Sequence, residues 1–342
     1  MIKKTLFFMF VVGPLIACLM VGVHVWFILN QTYQGPDKVF IVKNGDTFGK
    51  INQRLSAEGI ISNARVFHHY AKYKGVLTKF RAGSYTIPRG AKMSDVLDTL
   101  VFGQPNLTSI TVPEGKNMYE IAKLLNDAGV TTEEEFLKAV QHPDIIAQLE
   151  IQATSLEGYL YPETYKFAPN TPAKDVAKTM IDLFKKKTEG IDWTHPFLNK
   201  HQVVILASVV EKETGAKAER PIIAGVFTNR LKKRMRLESD PTTVYGIWSR
   251  YKGNIRKDDL LEMTPYNTYK VPALPAGPIS NPSLEAIEAV LHPQNNDYLF
   301  FVSKNDGTHV FTKTYQEHVE AVNNWQRNAR ARQGKSWRDL KQ

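Results

Sequence analysis

The 342-residue sequence predicts an α+β chain: an N-terminal transmembrane helix, small strand–helix units behind it, and then a mixed α/β region. Three observations carry this reading. The chain opens on an uncharged apolar run. A strand–glycine–helix pattern recurs three times after it. A helix that is apolar on nearly every side then ends on two glutamates. Hydrophobic residues make up 43% and charged residues 23%, which excludes bulk disorder.

Lys3 and Lys4 precede an apolar stretch from Thr5 to Leu29. About 20 apolar residues cross the hydrocarbon core of a bilayer, so residues 5–29 suffice. A cleaved signal peptide has an apolar core of about 7–15 residues, shorter than this run. Leu15-Ile16-Ala17-Cys18 resembles a lipoprotein cleavage box, yet the chain stays apolar through Leu19, Met20 and Val21 to Trp26-Phe27-Ile28-Leu29. The expectation is therefore an uncleaved, single-pass membrane anchor. Lys3 and Lys4 keep residues 1–4 cytoplasmic, and the remainder lies outside. Cys18 is the only cysteine and sits within the anchor, so the exported part has no disulfide and no thiol nucleophile. Whether Cys18 is lipidated stays open.

The repeat aligns on a glycine. Ile41-Val42-Lys43-Asn44-Gly45-Asp46-Thr47-Phe48 continues to Ile51 and Leu55. Tyr85-Thr86-Ile87-Pro88-Arg89-Gly90 continues to Met93, Val96 and Leu100. Ile110-Thr111-Val112-Pro113-Glu114-Gly115 continues to Met118, Ile121 and Leu125. β-rich residues, a turn glycine and apolar residues at +3, +6 and +10 spell a strand, a turn and an amphipathic helix. Asp46 and Thr47 are expected to cap the first helix. The first copy resembles the opening of a LysM module, which implies N-acetylglucosamine-containing glycan as a ligand; the other two lack the Asp-Thr. Packing units without a sugar site are the other reading of all three. The domain reading is 38–105 as a LysM-like subdomain and 106–342 as the catalytic region, with 106–150 a further small α+β unit.

Between the halves, Leu156-Glu157-Gly158-Tyr159-Leu160-Tyr161-Pro162-Glu163-Thr164-Tyr165 is dense in aromatics and carboxylates. It reads either as a sugar-contacting surface or as a turn whose tyrosines pack inward. The net charge of +10 is concentrated in Lys185-Lys186-Lys187, Lys232-Lys233-Arg234 and the Arg327–Arg338 tail. It suits a solvated basic surface or an anionic wall or lipid partner. No nucleic-acid module accompanies it, so no nucleic-acid partner is expected.

His201–Thr214 reads as a buried core helix, because Val203, Val204, Ile205, Leu206, Ala207, Val209 and Val210 leave it no polar face. It runs into Glu211-Lys212-Glu213, where the negative end of the helix dipole disfavours ionised carboxyls. Neighbours at i−3, i−4 and i−7 share a face. For Glu213 these are Val210, Val209 and Leu206; for Glu211 they are Ser208, Ala207 and Val204. Glu213 is thus the better candidate for a desolvated carboxyl with a raised pKa, able to give a proton to a leaving group. The alternative is an exposed last turn with both carboxylates paired to Lys212, Lys217 or Arg220. No HExxH spacing, nucleophile elbow or P-loop offers rival chemistry, and no metal or cofactor is expected.

Leu206-Ala207-Ser208-Val209-Val210-Glu211-Lys212-Glu213-Thr214 resembles the YceG-like family. The likeness extends through Val226-Phe227-Thr228-Asn229-Arg230-Leu231, Leu237-Glu238-Ser239-Asp240-Pro241-Thr242, Thr264-Pro265-Tyr266-Asn267-Thr268-Tyr269 and Gly307-Thr308-His309-Val310-Phe311. The resemblance implies an endolytic lytic transglycosylase. Such an enzyme cuts the β-1,4 bond between N-acetylmuramic acid and N-acetylglucosamine within peptidoglycan glycan strands, leaves a 1,6-anhydro end and terminates strand growth. It places the catalytic role on Glu213. Asn229, Arg230, Asp240, Tyr245, Asn267 and Tyr269 are expected to hold substrate and Glu157 and Glu163 to support it, while Glu157, Glu163, Glu219, Glu238 and Asp240 are the candidates for a second carboxylate. The implied partners are glycan strands, the inner membrane and peptidoglycan synthases. A non-catalytic, peptidoglycan-binding membrane scaffold for wall synthesis is the alternative.

Overall fold

The computed structural model of the chain describes residues 12–43 and 45–328. Lys3, Lys4, residues 5–11 of the expected anchor, Asn44 and the basic tail beyond residue 328 lie outside the described residues. The chain divides into two compact units, one reaching to Ser109 with Lys166–Thr171 added, the other holding Ile110–Tyr165 and the chain from Pro172 onward.

The first unit opens with α1, Gly13–Asn30, long and apolar enough to cross a membrane. Along it only Ile28 is buried, so this helix does not serve as a soluble core. Then come β1 (Lys38–Val42), α2 (Phe48–Ala57), α3 (Ala64–Tyr73), β2 (Gly83–Ile87) and α4 (Met93–Phe102). β1 and β2 pair antiparallel, with Phe40 opposite Tyr85 and Val42 opposite Gly83. Alternation puts Phe40 and Val42 inward, where Ile51, Leu55, Phe67, Val96 and Leu100 complete the core.

All three repeat copies adopt strand, turn and ten-residue helix, the third being β3 (Thr108–Thr111) and α5 (Met118–Asp127). Gly45, Gly90 and Gly115 take φ of +79°, +84° and +74°, a region where a side chain is strained. The expected capping of α2 is different in detail. Thr47 occupies the N-cap without a side-chain bond. Asp46 instead accepts from the Lys43 N–H at 3.0 Å and pairs with Arg54 at 2.9 Å.

The second unit is mostly helical. After α5 come α6 (Glu133–Val140), α7 (Pro143–Ile146), β4 (Thr164–Phe167), α8 (Ala173–Lys187), α9 (Lys200–Glu213), α10 (Arg220–Lys232), α11 (Asp240–Gly246), α12 (Lys257–Leu261), α13 (Leu284–Leu291), β5 (Phe300–Ser303), β6 (His309–Thr312) and α14 (Tyr315–Val322). Among the described residues every sheet has two strands: β1–β2, β3–β4 and β5–β6. The α+β reading therefore holds, but the expected mixed α/β second half is a helical body with short ribbons. Strands of four residues carry too little apolar surface to build a layer of their own.

The helix α9 is the axis of this unit. Asn199 and Gln202 close a capping box at its start, and Val203 through Val210 are all buried. It packs against α13, α10 and α11. Ser208 is fully buried in its middle; its hydroxyl donates to the Ile205 carbonyl and accepts from the Ile279 N–H at 3.0 Å. That is a structural role, and it leaves Ser208 no free hydroxyl for nucleophilic work.

Candidate active site

At its C-terminal end α9 delivers three consecutive side chains to three places. The Glu211 side chain is 5% exposed and pairs with Arg220, itself 4% exposed, at 2.6 Å. Its other oxygen accepts from the Ser283 N–H at 3.0 Å and the Ser283 hydroxyl at 2.5 Å. Ser283 is the N-cap of α13 and also accepts from Arg220. Lys212 reaches the carbonyl of Gly115 at 3.2 Å. Glu211 and Lys212 thus pin the end of α9 to its surroundings.

Glu213 is different. It is half-buried, and no ion pair within 4 Å compensates its charge among the described residues. Its Oε1 accepts a very short hydrogen bond from the Ser239 hydroxyl. Desolvation raises its pKa to about 7, with the Asp240 carboxylate pushing the same way; the Ser239 bond and the more distant Arg230 charge pull down but do not win. The carboxyl is poised where it can both give and take a proton near neutral pH.

Ser239 stands at the N-cap of α11, in a Ser-Asp-Pro sequence that signals a helix start. Its hydroxyl does not cap the helix; it turns to Glu213 instead. The residue is fixed from several sides. Its N–H donates to the Thr268 hydroxyl at 3.0 Å, and its carbonyl accepts from the Thr242 hydroxyl at 2.6 Å. The 264–269 loop runs along α11. Tyr269 donates to Asp240 at 2.7 Å, Thr268 meets Thr242 at 2.8 Å, and Asn267 accepts from Thr243 at 3.1 Å. At the other end a Cβ on Gly246 would fall 2.3 Å from the Thr264 hydroxyl and 3.4 Å from Tyr266, so only glycine lets loop and helix close together.

Of the residues expected at the site, Arg230, Asp240 and Tyr269 gather around Glu213; each exchanges a charge effect with it. Asp240 is exposed and Tyr269 half-buried, so both present a surface. Arg230 is 6% exposed and spends its donors on the carbonyls of Leu299, Arg236 and Leu237 and on Glu238. It acts on Glu213 through charge.

Burial or bonding turns four of the expected site residues to internal partners, and Glu163 lies apart. Asn267 is fully buried and donates to the carbonyls of Leu260 and Glu262. Tyr245 is 7% exposed and donates to Glu157 at 2.9 Å. Glu157, 1% exposed, also accepts from the Met118 N–H and the Asn281 amide, and burial pushes its carboxyl up to about 8. These three spend their polar groups on internal partners. Asn229 holds the carbonyls of Asn296 and Tyr298. Glu163 is exposed, but it lies on the β3–β4 side, near Lys187 at 3.6 Å, and nothing joins it to Glu213. The aromatic segment packs inward, since Leu156, Tyr159, Leu160 and Tyr165 are all buried.

Sequence reasoning missed Ser239 and the threonines behind it. The signal was present: a Ser at a helix N-cap beside an exposed Asp. The N-cap pattern by itself predicts a hydroxyl bonded to its own helix, and only the approach of α9 diverts it.

A near-neutral carboxyl at the end of a core helix, with one short hydroxyl donor and no side-chain cation paired to it among the described residues, has the chemistry a general acid needs. The chain belongs to the YceG-like family, whose profile matches residues 40–324. The endolytic murein transglycosylase of Bacillus subtilis (strain 168) is 34% identical over 302 residues, covering 82% of this chain and 82% of the relative. The endolytic murein transglycosylase of Streptococcus pneumoniae serotype 2 (strain D39 / NCTC 7466) is 28% identical over 314 residues; the match spans 82% of this chain and 57% of that longer protein. Among solved structures, a YceG-like protein of Listeria monocytogenes superimposes with a TM-score of 0.57 at 28% identity, over 83% of this chain and 98% of that one.

Proposed function

We propose that this chain is an endolytic peptidoglycan lytic transglycosylase with Glu213 as its single acid–base catalyst. One observation carries the residue assignment: a carboxyl held near neutrality beside Ser239, with no cation paired to it. Protonated Glu213 gives its proton to the glycosidic oxygen as the C1–O4 bond breaks, releasing the N-acetylglucosamine side with a free 4-hydroxyl. The Glu213 carboxylate then removes the proton from the C6 hydroxyl of the N-acetylmuramic acid while O6 bonds to C1. The ring closes as a 1,6-anhydro product, Glu213 regains its proton, and no water is consumed. Ser239 steadies the carboxylate between the two steps, and Asp240 with Tyr269 forms the polar rim.

The membrane and wall-binding readings rest on supporting features. The exposed apolar α1, preceded by Lys3 and Lys4, supports a single-pass anchor with the catalytic unit outside the inner membrane. The β1–α2–α3–β2 unit with its Gly45 turn supports a LysM-like glycan contact. Contact with peptidoglycan synthases would follow from work on nascent strands at that membrane. The scaffold alternative leaves the near-neutral Glu213 without a purpose.

Incubation of wild-type and Glu213→Gln protein with purified sacculi, read by mass spectrometry, tests the proposal. The expected result is anhydro-muropeptides from wild type alone. A wild-type digest with reducing ends and no anhydro ring overturns the reaction. A fully active Glu213→Gln protein overturns the assignment.

A further inference from the structure

The second unit carries a set of stacked, half-exposed rings that the chemistry at Glu213 does not use. Tyr119 on α5 neighbours Trp248 in a strongly offset arrangement, with centroids 5.9 Å apart and planes 15° from parallel. Trp248 continues to Tyr251 at 6.5 Å and 30°. All three rings are half-buried, neither core nor free. The contrast with Tyr245 is direct. That ring also touches Tyr119, at 6.0 Å, but it is 7% exposed and its hydroxyl is spent on Glu157. Tyr245 and Tyr266, 4.7 Å apart and edge to face, form a floor beneath the strip.

Two features make this more than a patch of apolar surface. The strip is anchored underneath. Buried Glu157 takes hydrogen bonds from the Met118 N–H, the residue before Tyr119, and from Tyr245. One carboxyl therefore fixes both elements that present the rings. The strip is also joined rigidly to the acid. Ser239, which bonds Glu213, begins α11; Trp248 follows its end. Six residue rises put the Asp240 and Gly246 ends of α11 about 9 Å apart. The 264–269 loop ties the same two ends, with Tyr269 on Asp240 and Tyr266 against Gly246.

We infer that Tyr119, Trp248 and Tyr251 form a carbohydrate-stacking subsite that binds pyranose faces of the glycan strand away from the scissile bond. The inference rests on the transglycosylase reading and extends it. Flat rings with an amphipathic edge match the apolar face of a β-linked pyranose, and rigid aromatics bind at low entropic cost. An extended polymer that reaches from Glu213 to the strip is gripped at both ends of α11. A short fragment fills only one end. The subsite thus favours cutting inside a strand over trimming at its tip.

The test uses the full-length chain carrying Glu213→Gln, so that strands bind without being cut. Calorimetric titration with purified peptide-free glycan strands gives its affinity. Adding Trp248→Ala is expected to weaken strand binding by about tenfold, the scale of losing an aromatic hot spot. Trp248→Phe keeps most of the affinity, and Tyr251→Ala weakens binding without disturbing the floor. Circular dichroism and thermal melting establish that each variant is folded. Disaccharide binding is expected to change less than strand binding. Unchanged strand affinity in both folded alanine variants overturns the inference, as does a parent protein that binds no strand. An equal loss for disaccharide and strand overturns the distal position. Failure of the enzyme reading is seen separately, as wild type releasing no anhydro-muropeptide.

Discussion

The Glu211 and Glu213 sides of one helix end differ in what surrounds them. Glu211 is the more deeply buried side chain, yet it is matched by a guanidinium and two donors from Ser283. Glu213 keeps some surface, yet it meets one hydroxyl, a neighbouring carboxylate and no paired cation. Burial depth alone would single out Glu211 and not Glu213. Compensation separates the two: Glu211 meets a cation and locks structure, whereas Glu213, desolvated without one, holds its proton toward the neutral range.

The largest expected effect breaks the Glu213 side. Glu213→Gln lowers anhydro-product release by about 10²–10⁴, the usual worth of a positioned acid–base group, and leaves the fold intact by circular dichroism. Glu211→Ala should do the reverse in kind. It leaves buried Arg220 with only the part-exposed Glu114 carboxylate at 3.4 Å and costs about 3–5 kcal/mol of stability, read from a urea midpoint. A Glu211→Ala protein as stable as wild type would erase the distinction between the two sides. Replacing both Glu211 and Arg220 by Met should cost less than the Glu211→Ala change alone, because no charge is left unpaired.

The next effect concerns pH. Activity requires protonated Glu213, so kcat/KM should fall as pH rises through about 7. Asp240→Asn removes a like charge and moves that limb to lower pH. Ser239→Ala removes a bond to the ionised form and moves it higher. Coincident profiles for the two variants would show that another group carries the titration.

The smallest effect is on stability. The folded pKa of Glu213 is raised above its ordinary value of 4.5, so the unfolded chain gives up this proton first. Stability therefore falls as pH climbs from about 4.5 toward 7. Glu213→Gln should melt at a higher temperature than wild type at pH 8 and at nearly the same temperature at pH 4. An equal difference at both pH values would mean that packing, not charge, is responsible.

Some of this was open to a reader of the chain. The glycine register of the three repeats appears in the fold because +3, +6 and +10 spacing is a local property of one helix face. The α9 core helix was equally plain, since Val203–Val210 offers no polar side. The internal bonding of Tyr245, Asn267 and Glu157 was not legible in the chain, for one reason. Polar side chains look alike in sequence whether they face a ligand or hold up a loop, and burial is set by which elements close over them.

The sequence by itself determined that a core helix ends on two carboxyls with unlike faces, and that the second meets the more apolar one. Periodicity suffices for that, because faces repeat every turn. Only the tertiary structure decided that Arg220 and Ser283 come to Glu211 while Ser239 turns from its own helix to Glu213. Those partners lie 9, 72 and 26 residues away along the chain. A pKa depends on the charges and donors that folding brings near, and no local pattern records them.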